Sequence, residues 1–176
     1  NPNRGYGGSL KAGFAAATKD LIAFFPADNQ FDFSEVSGLL QKLKNEKADM
    51  ISGIRENDSD SAHRRFIRWL WNTGIRALFG YLASDIDCGF KVFKREVLRR
   101  VNINSDGAMI DTQLLAGMRA RGMKIVEMPV AHLYSASLLK GITFPFSSMP
   151  KPSFLSALVR VATVMLATSL SKQITV

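Results

Sequence analysis

The sequence predicts an α/β protein with a mixed, mostly parallel sheet and flanking helices. Short apolar runs of strand length occupy residues 21–25, 48–54 and 124–130. Segments with a helical period lie between them, most clearly over residues 33–44 and 112–121. Strands that alternate with helices are typical of α/β sheets. Ligands bind such sheets beyond the carboxyl ends of the strands, so the polar residues after each run are the candidate site residues.

The composition fits one globular domain with a basic surface. Of the 176 residues, 47% are hydrophobic and 22% are charged, and the net charge is +8. This charge favours an anionic partner such as a nucleotide diphosphate, a lipid phosphate, a membrane surface or a nucleic acid. The single cysteine, Cys88, excludes an internal disulfide framework. Two histidines with no cysteine nearby argue against a zinc site.

The N-terminal segment is rich in glycine. Gly5, Gly7 and Gly8 predict a turn that allows close backbone approach. Ser9 is in position to cap a following helix over residues 10–18. The plain alternative is a flexible turn without a binding role.

Oxygen ligands follow the first apolar run. The run over residues 21–25 ends at a proline and is followed by Asp28, Gln30 and Asp32. A carboxylate and an amide two residues apart suit a hard cation such as Mg²⁺ or Mn²⁺, which in turn can hold a diphosphate. Asp32 and Glu35 have the spacing of a capping box, so Asp28 and Gln30 are the candidate metal ligands.

The next helix and strand lead to a candidate phosphate-binding residue. Arg55 follows the strand predicted over residues 48–54, at the ligand edge of the sheet. A guanidinium there can bind phosphate through two hydrogen bonds, whereas the alternative is a solvated cation. The helix predicted over residues 33–44 is expected to bury one face, formed by Phe33, Val36, Leu39, Leu40 and Leu43.

The longest helix is predicted over residues 63–81, with Gly74 as a weak point. Its two stripes favour an amphipathic helix at a membrane, with arginines facing lipid phosphate. A core helix with a solvated arginine stripe is the alternative. The apolar stripe contains Phe66, Trp69, Leu70, Thr73 and Ala77, and the polar stripe contains Arg64, Arg68, Asn72 and Arg76.

Acidic residues mark the next two segments. Asp85 and Asp87 lie in a loop that enters a strand, where Asp87 can simply bond the turn. Asp111 opens the helix over residues 112–121, where a carboxylate stabilises the helix dipole. Pro129 predicts that the last strand lies at an edge of the sheet or ends there.

The C-terminal composition changes. Residues 136–152 read as a linker that contains Lys140, and residues 153–176 as an amphipathic helix with Arg160 near its centre. An interfacial helix is favoured over a membrane span, an oligomer contact or a core helix. Residues 1–135 form the predicted folded domain.

Three blocks occur in an order that resembles family 2 glycosyltransferases. They are residues 1–13, 28–32 and 85–98. The branch they resemble is that of the polyprenyl- or dolichol-phosphate sugar transferases, over roughly residues 1–135. The resemblance implies a partial GT-A (Rossmann-like) fold, because the family's first strands and its base-binding motif would precede Asn1.

The resemblance also implies an activity and roles for residues. The chain is expected to move a sugar from a nucleotide-diphosphate donor to a polyprenyl phosphate, at the cytoplasmic face of a membrane, with Mg²⁺ or Mn²⁺. Asp85 and Asp111 would lie near the acceptor, and Asp28 and Gln30 would hold the metal. The implied donor and phosphate contacts are Gly5, Gly7, Arg55, Arg64, Arg68 and Lys140.

One departure from the family pattern leaves alternatives open. The family usually has Asp-x-Asp-x-Gln, but Pro26 stands at the first acidic position. One carboxylate fewer should weaken metal binding, so a non-catalytic remnant or partner subunit is one alternative. A basic nucleic-acid binder is another, although no nucleic-acid motif is recognisable.

Overall fold

The computed structural model describes residues 4–27, 30–56 and 62–132. Asp28, Lys140 and the predicted C-terminal segments, residues 136–152 and 153–176, lie outside these residues. The elements in chain order are α1 Gly5–Ala16, β1 Leu21–Phe24, a 3₁₀ turn Phe33–Glu35, α2 Val36–Asn45, β2 Met50–Glu56, α3 Ala62–Phe79, β3 Lys91–Lys94, α4 Glu96–Arg100, α5 Met109–Ala120 and β4 Ile125–Ala131.

The described strands form one mixed sheet in the order β1-β3-β2-β4. β3 is antiparallel to both neighbours, so that Val92 lies opposite Ala23 on one side and Ile51 on the other. β2 and β4 pair in parallel along their whole length. Three of the four strands therefore run in the same direction. This confirms the predicted α/β class and mixed sheet, with β3 as the one reversed strand.

Helices cover both faces of the sheet. On one face, Phe93 packs with residues of α1, α4 and α5, including Leu114 and Leu115. On the other face, Val92 packs with Leu39 and Leu43 of α2. Successive strand residues point to opposite faces, so β3 contributes to both core clusters. The result is a helix–sheet–helix arrangement.

The prediction of an N-terminal glycine turn is wrong, because the glycines belong to α1. Gly7 and Gly8 donate backbone hydrogen bonds to the Asp106 carbonyl. A Cβ atom on Gly7 would lie 2.6 Å from the Asp106 carbonyl carbon, so only glycine allows this contact. Ser9 does not cap the helix; it lies inside it, and its hydroxyl donates to the Gly5 carbonyl.

The capping prediction is partly confirmed. The Asp32 carboxylate accepts a hydrogen bond from the Ser34 amide at the start of the 3₁₀ turn. Glu35 does not complete a capping box, because its carboxylate accepts from the Ala131 amide at the end of β4. The Glu35 side chain thus joins the start of α2 to the edge strand that contains Pro129. This placement of Pro129 confirms the edge prediction within the described sheet.

Several burial predictions are wrong. Phe33 is 62% exposed. The apolar run at residues 21–25 predicts a buried strand, but β1, the outer strand of the described sheet, buries only Ile22. For α3, which continues through Gly74, it is the core-helix alternative that is wrong, because the apolar stripe is exposed, with Trp69 60% exposed, while Ile75 is buried. None of the helices in the described residues is both long and apolar enough to cross a bilayer.

The Gly7 contact yields a stability prediction. Gly7→Ala forces a methyl group into the backbone of the 105–107 turn, and we expect it to lower the free energy of unfolding by about 1–3 kcal/mol. Gly13→Ala in the same helix is the control, since a Cβ atom there meets nothing within 4 Å. It should stabilise the chain by roughly 0.5–1 kcal/mol. Urea denaturation measures both, and similar changes for the two variants would contradict the proposed packing.

Candidate active site

The candidate site lies where β1, β2 and β4 end. β3 begins at the same end of the sheet, since it runs in the opposite direction. The loop before β3, residues 80–90, therefore crosses the carboxyl ends of the neighbouring strands. Arg55, near the end of β2, and Asp85, in this loop, meet there.

Arg55 and Asp85 form a bidentate ion pair. Arg55 Nε donates to Asp85 Oδ2 at 2.7 Å, and Nη2 donates to Oδ1 at 2.6 Å. Their side chains are only 12% and 9% exposed. Burial acts to raise the pKa of Asp85, but the hydrogen bonds and charge of Arg55 outweigh it and hold that pKa below its usual value. Asp85 is therefore an anion at neutral pH and a weak base.

The sequence placed Arg55 at the ligand edge of the sheet and Asp85 in a loop that enters a strand, and it did not predict their contact. Their pairing uses Nε and Nη2 of Arg55, so Nη1 is the guanidinium nitrogen that this pair does not occupy. Arg68 of α3 lies near enough that burial and the charge of Arg55 lower its pKa. The two arginines thus concentrate positive charge at this end of the sheet.

A buried lysine, Lys91, forms hydrogen bonds to the backbone of the loop before β3. Lys91 is fully buried, and its Nζ donates to the carbonyls of Ile86, at 3.1 Å, and Cys88. Nζ also donates to Asp111 Oδ1 at 2.7 Å. The other oxygen of Asp111 accepts from the Tyr6 hydroxyl at 3.0 Å. Although the Tyr6 residue as a whole is 42% exposed, desolvation of its hydroxyl and the neighbouring Asp111 charge raise the pKa of Tyr6 above its usual value.

Sequence reasoning missed Lys91 and Tyr6. One signal was available, because a lysine inside the apolar run Gly89–Phe93 needs a buried anionic or carbonyl partner. Asp111 does lie in the first turn of α5, as expected. Its carboxylate, however, is occupied by hydrogen bonds that it accepts from Lys91 and Tyr6.

Asp87 lies at the surface of the same loop. Its residue is exposed, yet the protein atoms packed around its carboxyl, with the charges of Asp111 and Asp85, raise its pKa to about 6. Several groups in the described residues have a shifted pKa. Among those in the site, only the Asp87 carboxyl titrates close to neutral pH.

Apart from Lys140, the remaining predicted site residues lie in α1, in α3 and after β1. Gly5 and Gly7 lie in the first turn of α1, where the Gly7 amide is already bonded to Asp106. Arg64 belongs to α3, but its side chain is outside the described part. Gln30 is described and Asp28 is not. Within the described residues, no group of three or more His, Cys, Asp or Glu side chains could hold a metal ion.

Pro26 packs against the site loop. A Cβ atom on Gly89 would lie 2.8 Å from Pro26 Cγ, so the ring rests directly on the Gly89 backbone. The residue at the family's first acidic position is therefore a packing residue here. A separate cavity of about 560 Å³ lies at the opposite end of the sheet, between α1, α4 and Arg121.

The sequence of the chain matches a glycosyltransferase family. Residues 1–101, more than half of the chain, match the model of Glycosyl transferase family 2. The chain belongs to this family.

Curated relatives include enzymes named for polyprenyl-phosphate acceptors. The dolichyl-phosphate beta-glucosyltransferase ALG5D of Trichomonas vaginalis is 30% identical over 73% of this chain and 43% of the relative. The undecaprenyl-phosphate 4-deoxy-4-formamido-L-arabinose transferase of Klebsiella pneumoniae is 30% identical over 74% of this chain and 39% of the relative. The chain spans less than half the length of these two relatives.

Solved structures support the fold. Glucosyl-3-phosphoglycerate synthase from Mycobacterium tuberculosis, in complex with Mn²⁺ and UDP-glucose, superposes with a TM-score of 0.66 at 16% identity. The match covers 93% of this chain and 56% of that structure. The predicted GT-A fold is thus confirmed.

The raised pKa of Asp87 predicts a pH-dependent effect of Asp87→Asn. Between the ordinary aspartate pKa of 3.8 and about 6, the Asp87 carboxyl binds more protons in the folded chain than in the unfolded chain, so this group lowers stability as pH rises through that window. The Asp87→Asn variant has no carboxyl at this position, so it does not lose this stability as pH rises. We expect its stability relative to wild type to increase from about pH 4 to about pH 6 and to stay constant above.

Chemical denaturation across this pH range measures the effect. Asp20→Asn is the control, because the Asp20 side chain is fully exposed. A difference between Asp87→Asn and wild type that does not change with pH would contradict the environment described for Asp87.

Proposed function

We propose that the chain is part of the catalytic domain of a glycosyltransferase that transfers a sugar from a nucleotide-diphosphate donor to a polyprenyl phosphate at a membrane surface. The observation that carries the proposal is the buried Arg55–Asp85 pair at the carboxyl end of the sheet, in a chain of glycosyltransferase family 2. The relatives named for dolichyl- and undecaprenyl-phosphate support the acceptor class.

The charge state of the site suits a phosphate acceptor. A phosphate oxygen is already anionic at neutral pH and does not need a strong base. Asp85, whose pKa is held low, is a poor base but a firm anchor for a guanidinium. We therefore assign Asp85 to orienting Arg55, so that Nη1 of Arg55, with Arg68 nearby, binds phosphate oxygens.

The donor would be held through a divalent cation. Asp28 and Gln30 supply a carboxylate and an amide oxygen, which are ligands suited to Mg²⁺ or Mn²⁺. Bound there, the cation would neutralise the negative charge of the departing nucleotide diphosphate. The glucosyl-3-phosphoglycerate synthase complex with Mn²⁺ and UDP-glucose supports this choice of cation and donor class.

α3 supports a membrane location, which we place at the cytoplasmic face. Large apolar side chains on this helix are more than half exposed, and arginines recur beside them. An amphipathic helix with this composition can lie in a lipid interface and face anionic headgroups. The exposed apolar residues of α3 are Phe66, Trp69, Leu70 and Leu78.

A non-catalytic partner subunit is the second candidate function. The packing of Pro26 on Gly89 favours it, because the position that usually carries a metal-binding carboxylate here serves the loop instead. Such a subunit would keep the fold and the arginines but would not bind a donor by itself.

Calorimetric binding of UDP-glucose and GDP-mannose, with and without Mn²⁺, separates the two functions. We expect metal-dependent binding of one donor that weakens by about 10-fold or more in Asp28→Ala, since a charged metal ligand is lost. Asp20→Ala, with its fully exposed carboxylate, should bind like wild type. No donor binding by the folded chain would contradict the catalytic proposal and favour the partner subunit.

A further inference from the structure

Lys91 is unusual because burying an ammonium group costs free energy unless each of its N–H groups donates a hydrogen bond to an acceptor. Its three acceptors are the Ile86 carbonyl, the Cys88 carbonyl and Asp111 Oδ1, so the group is fully satisfied. The Phe24 ring lies 5.6 Å from Nζ and adds a cation–π contact. These bonds fix the position of the loop relative to the ammonium group, because any shift of the loop leaves a buried donor unpaired.

Two of these acceptors belong to the loop that carries Asp85. Ile86 follows Asp85 directly, and Cys88 closes the same turn by donating its amide to the Asp85 carbonyl at 3.3 Å. The Lys91 ammonium therefore fixes the backbone on both sides of Asp87. It thereby fixes the position from which the Asp85 carboxylate reaches Arg55.

Asp111 fixes the lysine in turn. Its carboxylate is 4% exposed and is held by Lys91 on one oxygen and by the Tyr6 hydroxyl on the other. Tyr6 belongs to α1, and Asp111 belongs to α5. The site loop is thus tied to two helices through one buried charge pair.

We propose that Lys91 is a positioning residue of the transfer reaction. It holds the 85–89 loop in place, so that Asp85 orients Arg55 toward the phosphate. Asp111 then stabilises this hydrogen-bond network and does not contact the acceptor. The inference rests on the proposed function for its catalytic consequence. Its structural part, the anchoring of the loop, stands independently of that function.

The test compares three variants of the full chain. Lys91→Met removes the ammonium and leaves Asp111 as a lone buried anion, which destabilises the fold. Lys91→Met with Asp111→Leu removes both charges, so it should regain stability without regaining the bonds to the loop. Lys94→Met is the matched control on the same strand, where a half-exposed lysine pairs with Asp49 away from the loop.

Amide hydrogen exchange of residues 85–89 is the first measurement. We expect exchange to speed up by about 10-fold or more in both Lys91→Met chains, and to stay at the wild-type rate in Lys94→Met. Wild-type protection of the loop in the double variant would overturn the proposal, even if the single variant does not fold.

Transfer kinetics are the second measurement. Where the wild type transfers sugar, the double variant should lose on the order of 100-fold in kcat with a smaller change in KM, because Arg55 is misplaced rather than removed. An unchanged kcat in the stable double variant would make Lys91 a structural residue only and overturn the positioning role. A wild type with no transfer activity counts against the proposed function, while the exchange rates still decide whether Lys91 anchors the loop.

Discussion

The burial of one ammonium group constrains the whole candidate site. Lys91 has no access to water, so the chain must bring it an anion and carbonyl groups. Asp111 supplies the anion from α5, and the loop before β3 supplies the carbonyls. Once these bonds form, the loop has a fixed course over the strand ends, and Asp85 reaches Arg55. The geometry of Arg55 thus depends on the buried charge pair of Lys91 and Asp111.

Close backbone contacts surround this charge pair and need residues of particular size. Gly7 allows α1 to approach the turn at residues 105–107, which places Tyr6 against Asp111. Gly89 allows Pro26 to pack on the site loop. The change from an acidic residue to Pro26 therefore has two effects, since it removes a possible cation ligand and adds a rigid contact to the loop. This combination is why a catalytic domain and a partner subunit both remain compatible with the same fold.

Local patterns in the sequence predicted the strands, the helix over α5 and the sheet edge at which Arg55 lies. They could not predict the contacts between distant segments. The glycines of α1 favour a turn by themselves, and the backbone at Asp106 makes them a helix start. The period of α3 gave the residues that share a face, but which face is buried depends on how Ile75 meets the core. The Tyr6–Asp111–Lys91 network joins three segments, so no single segment of sequence contains it.

In the function proposed here, ligands bind at the carboxyl end of the sheet through Arg55, which the loop on Lys91 holds in position. The most direct measurement is a set of nitrogen–proton NMR spectra of backbone amides and arginine Nε groups, recorded during titration with UDP-glucose and Mg²⁺. We expect changes at Arg55 Nε and at residues 85–89, with the opposite cavity beside Arg121 unchanged. Changes confined to that opposite cavity, with Arg55 and the loop unaffected, would show that ligands bind elsewhere.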